Sequence, residues 1–392
     1  MPTRRRALLS AACALASHAG AAPAGATRAH AAPATPATLR DRAAARGLLF
    51  GAAVLARDLA ADPAYAALVA RECAILTPGL EAKWAPTEPA DGDFRLDAFD
   101  AVAAFAQAHG IALHGHNLVW AVYNPPWLLD ALRAGRGDAV LARHVAAVCG
   151  RHAGQVLAWD VVNEPVDPRW PADPQGLCTT NWWHALGPGY IERALRLAHD
   201  ADPHALLLVN DDDLEYDAPD RELKRNQYLR LAESLVRRGA PLHGFGLEAH
   251  LKPDRPIAER AYRRFLAELA GMGLALFVTE LDVNDQSLPA DIAARDAIVA
   301  DVTRRYLDLA LDEPAVRAVQ CWGLSHRHEQ MGRDPATRRT DGLPNRALPF
   351  DAALEPTPMG EAIGRALDGA PRRQASMGSA QTRKGSEDPL IP

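Results

Sequence analysis

Val156-Leu157-Ala158-Trp159-Asp160-Val161-Val162-Asn163-Glu164-Pro165 is a short apolar run, Val156 to Val162, closed by an amide and a carboxylate. A run of that length bounded by polar residues reads as a buried strand. Similar runs recur at Leu48 to Leu55, Ala74 to Pro78, Ile111 to His116, Ala205 to Val209, Leu242 to Leu247, Leu274 to Val278 and Val316 to Leu324, giving eight strand candidates. Between them lie amphipathic stretches with apolar residues three and four apart, such as Tyr190-Ala194-Leu195-Leu197-Ala198 and Tyr262-Phe265-Leu266-Leu269. Strand then helix, repeated in this way, predicts a single α/β domain, a (β/α)8 TIM barrel. A doubly wound open sheet is the alternative. No glycine-rich phosphate loop follows the first run, however, and polar residues close nearly every run, which suits a barrel that gathers those ends around one site.

The run ends carry the chemistry. Lys83 and Trp84 follow the second run, His114 and His116 close the third with Trp120 just beyond, and Asn163 and Glu164 close the fourth. Asn210 and Asp211 follow the fifth, Glu248 and His250 the sixth, Glu280 and Asp282 the seventh, and Trp322 lies in the eighth. Glu164 and Glu280 face each other across a barrel mouth in this arrangement. Two facing carboxylates are what acetal cleavage needs, one to protonate the leaving oxygen and one to attack or stabilise the oxocarbenium-like centre. Trp120 and Trp322 offer flat faces to sugar rings, and the Asn and His side chains offer hydrogen bonds to hydroxyls.

Composition excludes other classes. Of 392 residues, 48% are hydrophobic and 23% charged, as in ordinary globular chains, and the net charge of -6 has no basic block that would mark a nucleic-acid partner. No uninterrupted apolar stretch is long enough for a membrane span. Arg4-Arg5-Arg6 before an Ala/Leu run, followed by small-residue cleavage sites such as Ala29-His30-Ala31, predicts an export signal over residues 1–31. Twin-arginine and general secretion both remain open, as do periplasmic and extracellular destinations. The catalytic domain is expected over residues 38–368 and a disordered polar tail over 371–392. Cys73, Cys149, Cys178 and Cys321 read as small buried hydrophobes, with one bridge left open.

The segments Lys83-Trp84, GHNLVW (115–120), WDVVNEP (159–165), Asn210-Asp211, HGFGLEAHL (243–251), TELDV (279–283), Trp322-Gly323 and LPFD (348–351) together resemble glycoside hydrolase family 10, the endo-β-1,4-xylanase family. That resemblance implies a barrel acting on xylan by retaining double displacement, without metal or cofactor, as a monomer. It implies Glu164 as general acid/base and Glu280 as nucleophile, with His250 and Asp282 orienting Glu280. Asn163 would donate to the sugar 2-hydroxyl, Lys83, His116 and Trp120 would line the non-reducing side, Trp322 would floor the site, and Asn210 would support it.

The chain departs from the family pattern in places. Gly79 and Leu80 stand where a Glu-Asn pair grips a sugar one ring away from cleavage, Ala121 replaces a His, and Asp212 replaces a Tyr. Residues around His326 and Gln330 replace an Asp and a second Trp, so a thinner aromatic cage is expected. Glu248 takes the place of a Gln near the nucleophile, and a third carboxylate there should stay protonated and donate as the amide would. Trp84 and Trp159 read as core, His114 as packed or at the rim, and Trp182 and Trp183 as either packing or rim. Other readings are action on another β-linked glycan, a carbohydrate binder without turnover, and a metal-dependent barrel hydrolase using His114, His116, His250 and Asp282.

Overall fold

A computed structural model of the chain describes residues 37–167 and 171–373. The segment expected to be an export signal lies outside the described residues. The apolar runs fold as parallel strands: β1 (Leu49–Val54), β2 (Ile75–Pro78), β3 (Ala112–Val119), β4 (Val156–Asn163), β5 (Leu206–Asp211), β6 (Gly244–Leu247), β7 (His250–Leu251), β8 (Ala275–Val283) and β9 (Val316–Cys321). Consecutive strands pair except β6 with β7, both of which pair with β8, and β1 also pairs with β9, Leu49 opposite Ala318, so the sheet closes on itself. This is the (β/α)8 barrel.

β6 and β7 are two pieces of one stave. β6 pairs with β5 and β8. The strand then breaks at Glu248 and Ala249, where Ala249 has φ 61°, and β7 resumes beside β8 with His250 opposite Asp282. Such an interruption re-aims the side chains around it.

Strand ends differ from the sequence expectation in an instructive way. β3 runs on past His116 to Val119, and β8 runs on past Val278 to Val283, so Glu280 and Asp282 lie inside a strand. Their polarity does not end the strand because they find partners inside the barrel mouth. β9 stops at Cys321, where Trp322 N still donates to Leu281 O but Gly323 at φ 121° turns the chain away.

Residues two apart on a strand share a face. Ala158, Leu208, Phe277 and Ala318 form a buried cluster of their own. One step further along the same faces stand Asp160, Asn210, Thr279 and Gln320, all buried. The barrel interior is therefore an apolar layer capped by a polar one, the stacking that side chains give a barrel of this size.

Helices cover the outside. Asp62 caps Pro63–Glu72 through its side chain, accepting from Ala64 N at 3.1 Å and Tyr65 N at 3.0 Å. The helix Pro358–Gly369 packs on Ile292–Leu311 and on Leu39–Ala44. The folded chain continues beyond Asp368: Arg373 is buried and its guanidinium donates to Val316 O at 3.1 Å and Leu311 O at 2.8 Å. Residues 371–373 are thus part of the barrel and not of a tail, because Arg373 satisfies carbonyls at a strand start and a helix end. Residues 374–392 lie outside the described residues.

All four cysteines of the described residues are buried and unbridged. Trp84 and Trp159 are core, as expected. Among the described residues no helix is long and apolar enough to cross a membrane.

Candidate active site

Asn210, on β5, is the hub of the site. Its Nδ2 lies 2.8 Å from Glu280 Oε1, 3.1 Å from Glu248 Oε1 and 2.8 Å from Asn163 Oδ1, while its Oδ1 accepts from Thr279 Oγ1 at 2.8 Å. Four staves are tied through one carboxamide. The site has room for it because residue 246 is glycine: a Cβ there would stand 1.9 Å from Asn210 Oδ1.

Glu280 is held from three sides. Besides Asn210, His250 Nε2 lies 3.4 Å from its Oε2 and His116 Nδ1 lies 3.8 Å from its Oε1. Burial pushes the Glu280 carboxyl up, but His116, His250 and Lys83 outweigh it and hold the group below its ordinary value. His250 Nδ1 pairs with Asp282 Oδ1 at 3.0 Å. Burial disfavours the imidazolium, yet Asp282 and Glu280 together raise His250 well above the usual histidine range. His250 thus stands between Asp282 and Glu280.

Glu248 behaves oppositely to Glu280. Burial, reinforced by the charges of Glu280, Glu164 and Asp212, drives its carboxyl well above the ordinary range, and His250 only partly offsets this. Two carboxyls sharing one amide donor are thus pushed in opposite directions, Glu280 down and Glu248 up.

Glu164 stands just past the end of β4, half-buried, at φ 48°, with its backbone N donating to Asn210 O at 2.9 Å. A non-glycine residue at positive φ is strained and is commonly found at functional positions. Asn163 Nδ2 approaches Glu164 Oε1 at 3.5 Å.

Lys83 is 6% exposed, with Nζ 4.7 Å from the Trp120 ring centroid and 5.3 Å from that of Trp322. Burial lowers its pKa against the pull of Glu280, Glu248, Glu164 and Asp160. Trp322 also packs edge-on to His116, centroids 5.1 Å apart. The residues singled out by the sequence thus line one mouth.

Sequence reasoning missed Asp160. It lies buried between His116, whose Nδ1 is 2.9 Å from Oδ2, and His114, whose Nε2 is 3.1 Å from Oδ1. Burial raises the Asp160 carboxyl, but the two histidines bring it down to about 2. His114 Nδ1 meets Gln320 Nε2 at 2.8 Å, and Gln320 Oε1 accepts from Thr77 Oγ1 at 2.8 Å. His114 is therefore packed in a buried polar relay. A charged residue inside the apolar run 156–162 was the available signal. The metal-hydrolase set is not brought together. His114 and His116 serve Asp160, and among the described residues the group offering converging ligand atoms is Glu248, His250 and Glu280.

The sequence profile described as Glycosyl hydrolase family 10 matches residues 38–366. The chain belongs to glycosyl hydrolase family 10. Among its family 10 relatives, endo-1,4-β-xylanase B of Thermotoga neapolitana is 31% identical over 305 residues, spanning 78% of this chain and 83% of that protein. Xylanase 10B of Thermotoga maritima has a similar structure, with a TM-score of 0.73 at 28% identity, covering 84% of this chain and 98% of that one. Xylanase 10B of Thermotoga petrophila RKU-1, solved in complex with xylobiose, matches with a TM-score of 0.73 at 28% identity, covering 84% and 97%.

The departures from the family 10 pattern have structural counterparts. The space above Gly79 is approached by Gln330, whose Nε2 would lie 3.7 Å from a Cβ there. Beside Ala121, the exposed Tyr123 stacks parallel to Trp120 with centroids 6.3 Å apart and adds an aromatic face to the cage. Asp212 pairs at 2.5 Å with Lys224, which also reaches Asp211 at 2.5 Å. Trp182 is buried and donates to Trp120 O at 2.9 Å, whereas Trp183 is half-buried and donates to Asp173 Oδ2 at 3.0 Å.

Proposed function

We propose that this family 10 glycoside hydrolase is an endo-β-1,4-xylanase in which Glu280 is the nucleophile and Glu164 the general acid/base. The observation that carries this reading is the state of Glu280: buried, kept anionic by His116, His250 and Lys83, and fixed in direction by Asn210 at 2.8 Å. Glu280 attacks the anomeric carbon while Glu164 gives its proton to the departing glycosidic oxygen, leaving a glycosyl ester on Glu280. Water, deprotonated by Glu164, then attacks the same carbon and frees Glu280, so two inversions give net retention. Asn163 meets the sugar 2-hydroxyl, and Lys83, His116, Trp120 and Trp322 line the glycone side, supported by the aromatic faces around Lys83.

Proton NMR of the chain digesting β-1,4-xylohexaose tests the reading, with Glu280→Ala in parallel. The β-anomer should form first, and the variant should lose activity by on the order of 10^4-fold or more. First appearance of the α-anomer, or an active Glu280→Ala, overturns it.

The basic and apolar leader over residues 1–31 supports catalysis outside the cytoplasm, in the periplasm or medium, and the proposed working unit is a monomer. N-terminal sequencing of exported protein and its sedimentation in solution check these two points.

A further inference from the structure

Glu248, His250 and Glu280 each turn one ligand atom toward a common point. His250 Nε2 lies 3.4 Å from Glu280 Oε2 and 3.7 Å from Glu248 Oε2, and one ligand atom from each residue lies within 4.8 Å of the others. Tetrahedral zinc with bonds of about 2.0–2.1 Å holds its ligand atoms roughly 3.4 Å apart, so little adjustment would seat an ion among these three.

The far side of each ligand is anchored. Asn210 Nδ2 holds Oε1 of both Glu280 and Glu248, at 2.8 and 3.1 Å, which leaves both Oε2 atoms facing inward. His250 Nδ1 is engaged by Asp282 Oδ1 at 3.0 Å, which leaves Nε2 as the ring atom turned to Glu280 and Glu248. A carboxylate behind a histidine in this way is the outer-shell arrangement that orients imidazole ligands on zinc.

Glu248 supplies the second indication. It is 3% exposed, and its Oε2 lies 3.7 Å from His250 Nε2, turned to the same place as Glu280 Oε2. Once Glu248 and His250 give up their protons as an ion enters, two carboxylate oxygens and a neutral imidazole nitrogen face it, a donor set suited to a divalent cation. The His250 ring is 32% exposed, so an ion can enter from the mouth and keep water as its fourth ligand.

We propose that Glu248, His250 and Glu280 form a binding site for one divalent transition-metal ion of the zinc class, with a nitrogen and two carboxylate oxygens as ligands. Binding displaces the proton from His250 Nε2 and any proton on Glu248 to solvent, and no bond in the chain is broken. The ion occupies Glu280 Oε2, so metal and glycan exclude one another. That last consequence rests on Glu280 being the nucleophile, whereas the binding itself does not.

Isothermal titration of the metal-free chain with zinc chloride tests the proposal, and cobalt(II) is used to read the ligand field. The expected result is a saturable site of one ion per chain, with cobalt giving visible absorption typical of four-coordination. Glu248→Gln, which keeps the side-chain shape, and His250→Ala should each weaken that site at least about tenfold. Absence of saturable binding, or binding that Glu248→Gln leaves unchanged, overturns the proposal. The cobalt spectrum of the unaltered chain decides the matter if His250→Ala fails to fold, because an octahedral, water-like spectrum also overturns it. Zinc that binds at this site without competing with xylohexaose leaves the site intact and instead counts against Glu280 as the nucleophile.

Discussion

A single added carbon on Gly246 would come within 1.9 Å of Asn210 Oδ1. Two neighbouring staves, β5 and β6, are thereby matched: one carries the amide that grips Glu280 and the other carries nothing at the facing position. Gly246→Ala should push the carboxamide off its partners. The expected outcome is a fall in kcat of about 10-fold or more with KM changed little, since under the proposed mechanism the lost contacts orient the nucleophile and not the bound glycan. Steady-state kinetics on xylo-oligosaccharides check this, and an unchanged kcat would mean that Asn210 has room to move.

Burial, and the second charge that ionisation would set beside Glu280, hold the Glu248 carboxyl well above the ordinary range. As pH rises through its raised pKa, that charge appears and a donor is lost, so activity should fall on the alkaline side. Glu248→Gln cannot ionise, and its alkaline limb of kcat/KM against pH should move upward. A limb that stays in place shows that another group controls it. The sign for stability agrees: a carboxyl raised by burial contributes most at low pH and progressively less as pH climbs through its folded value.

Asp160, brought down to about 2 by His114 and His116, acts on Glu280 through His116. Asp160→Asn removes the carboxylate that holds His116 beside Glu280, and Glu280 loses part of what keeps its carboxyl low. The acid limb of kcat/KM should shift up by about one pH unit. Leaving two buried histidines without their anion should also cost roughly 3 kcal/mol in urea unfolding at neutral pH. The wild-type contribution of Asp160 is present above the ordinary aspartate pKa and is lost only as pH falls towards about 2. A variant with an unmoved acid limb separates Asp160 from Glu280.

Lys224 is 1% exposed and reaches both Asp211 and Asp212 at 2.5 Å. Lys224→Met would leave two carboxylates facing each other under the barrel mouth. Destabilisation of about 3–5 kcal/mol is expected near neutral pH, shrinking in acid as the pair takes up a proton. Urea titrations at two pH values read both effects, and a loss below about 1 kcal/mol at neutral pH would show that the two acids are already neutral.

The barrel was legible because each stave is an apolar run interrupted by residues of a different period, and Glu164 and Glu280 because they close or follow such runs. What stayed hidden depends on depth and not on pattern. Asp160 looks like an interruption within 156–162 until the barrel closes and turns it inward, toward two histidines from β3. Gln320 and Thr77 are unremarkable polar residues in sequence and become partners only because β9 and β2 flank β1. Lys224 sits on a helix, where lysine is normally solvated, and nothing local says that it dives beneath Asp211. Tyr123 and Gln330 could not be connected to Ala121 and Gly79 because loops from different strands have no shared register to read.

Arg373 N donates to Arg46 O at 2.8 Å, and Arg372 Nε to Ala45 O at 3.2 Å, so the last described turn of the chain lies on its first. Arg42 and Arg46 both reach Asp368 from the other side. The two ends of the folded unit therefore lie side by side on the face opposite the mouth, and a short linker between them would join the polypeptide into a ring. New termini could then be opened in an exposed loop, which makes this barrel a practical scaffold for circular permutation or for insertion into a host protein. Any fused partner belongs after Arg373, since cutting at Gly369 would strip the carbonyls of Leu311 and Val316 of their donor.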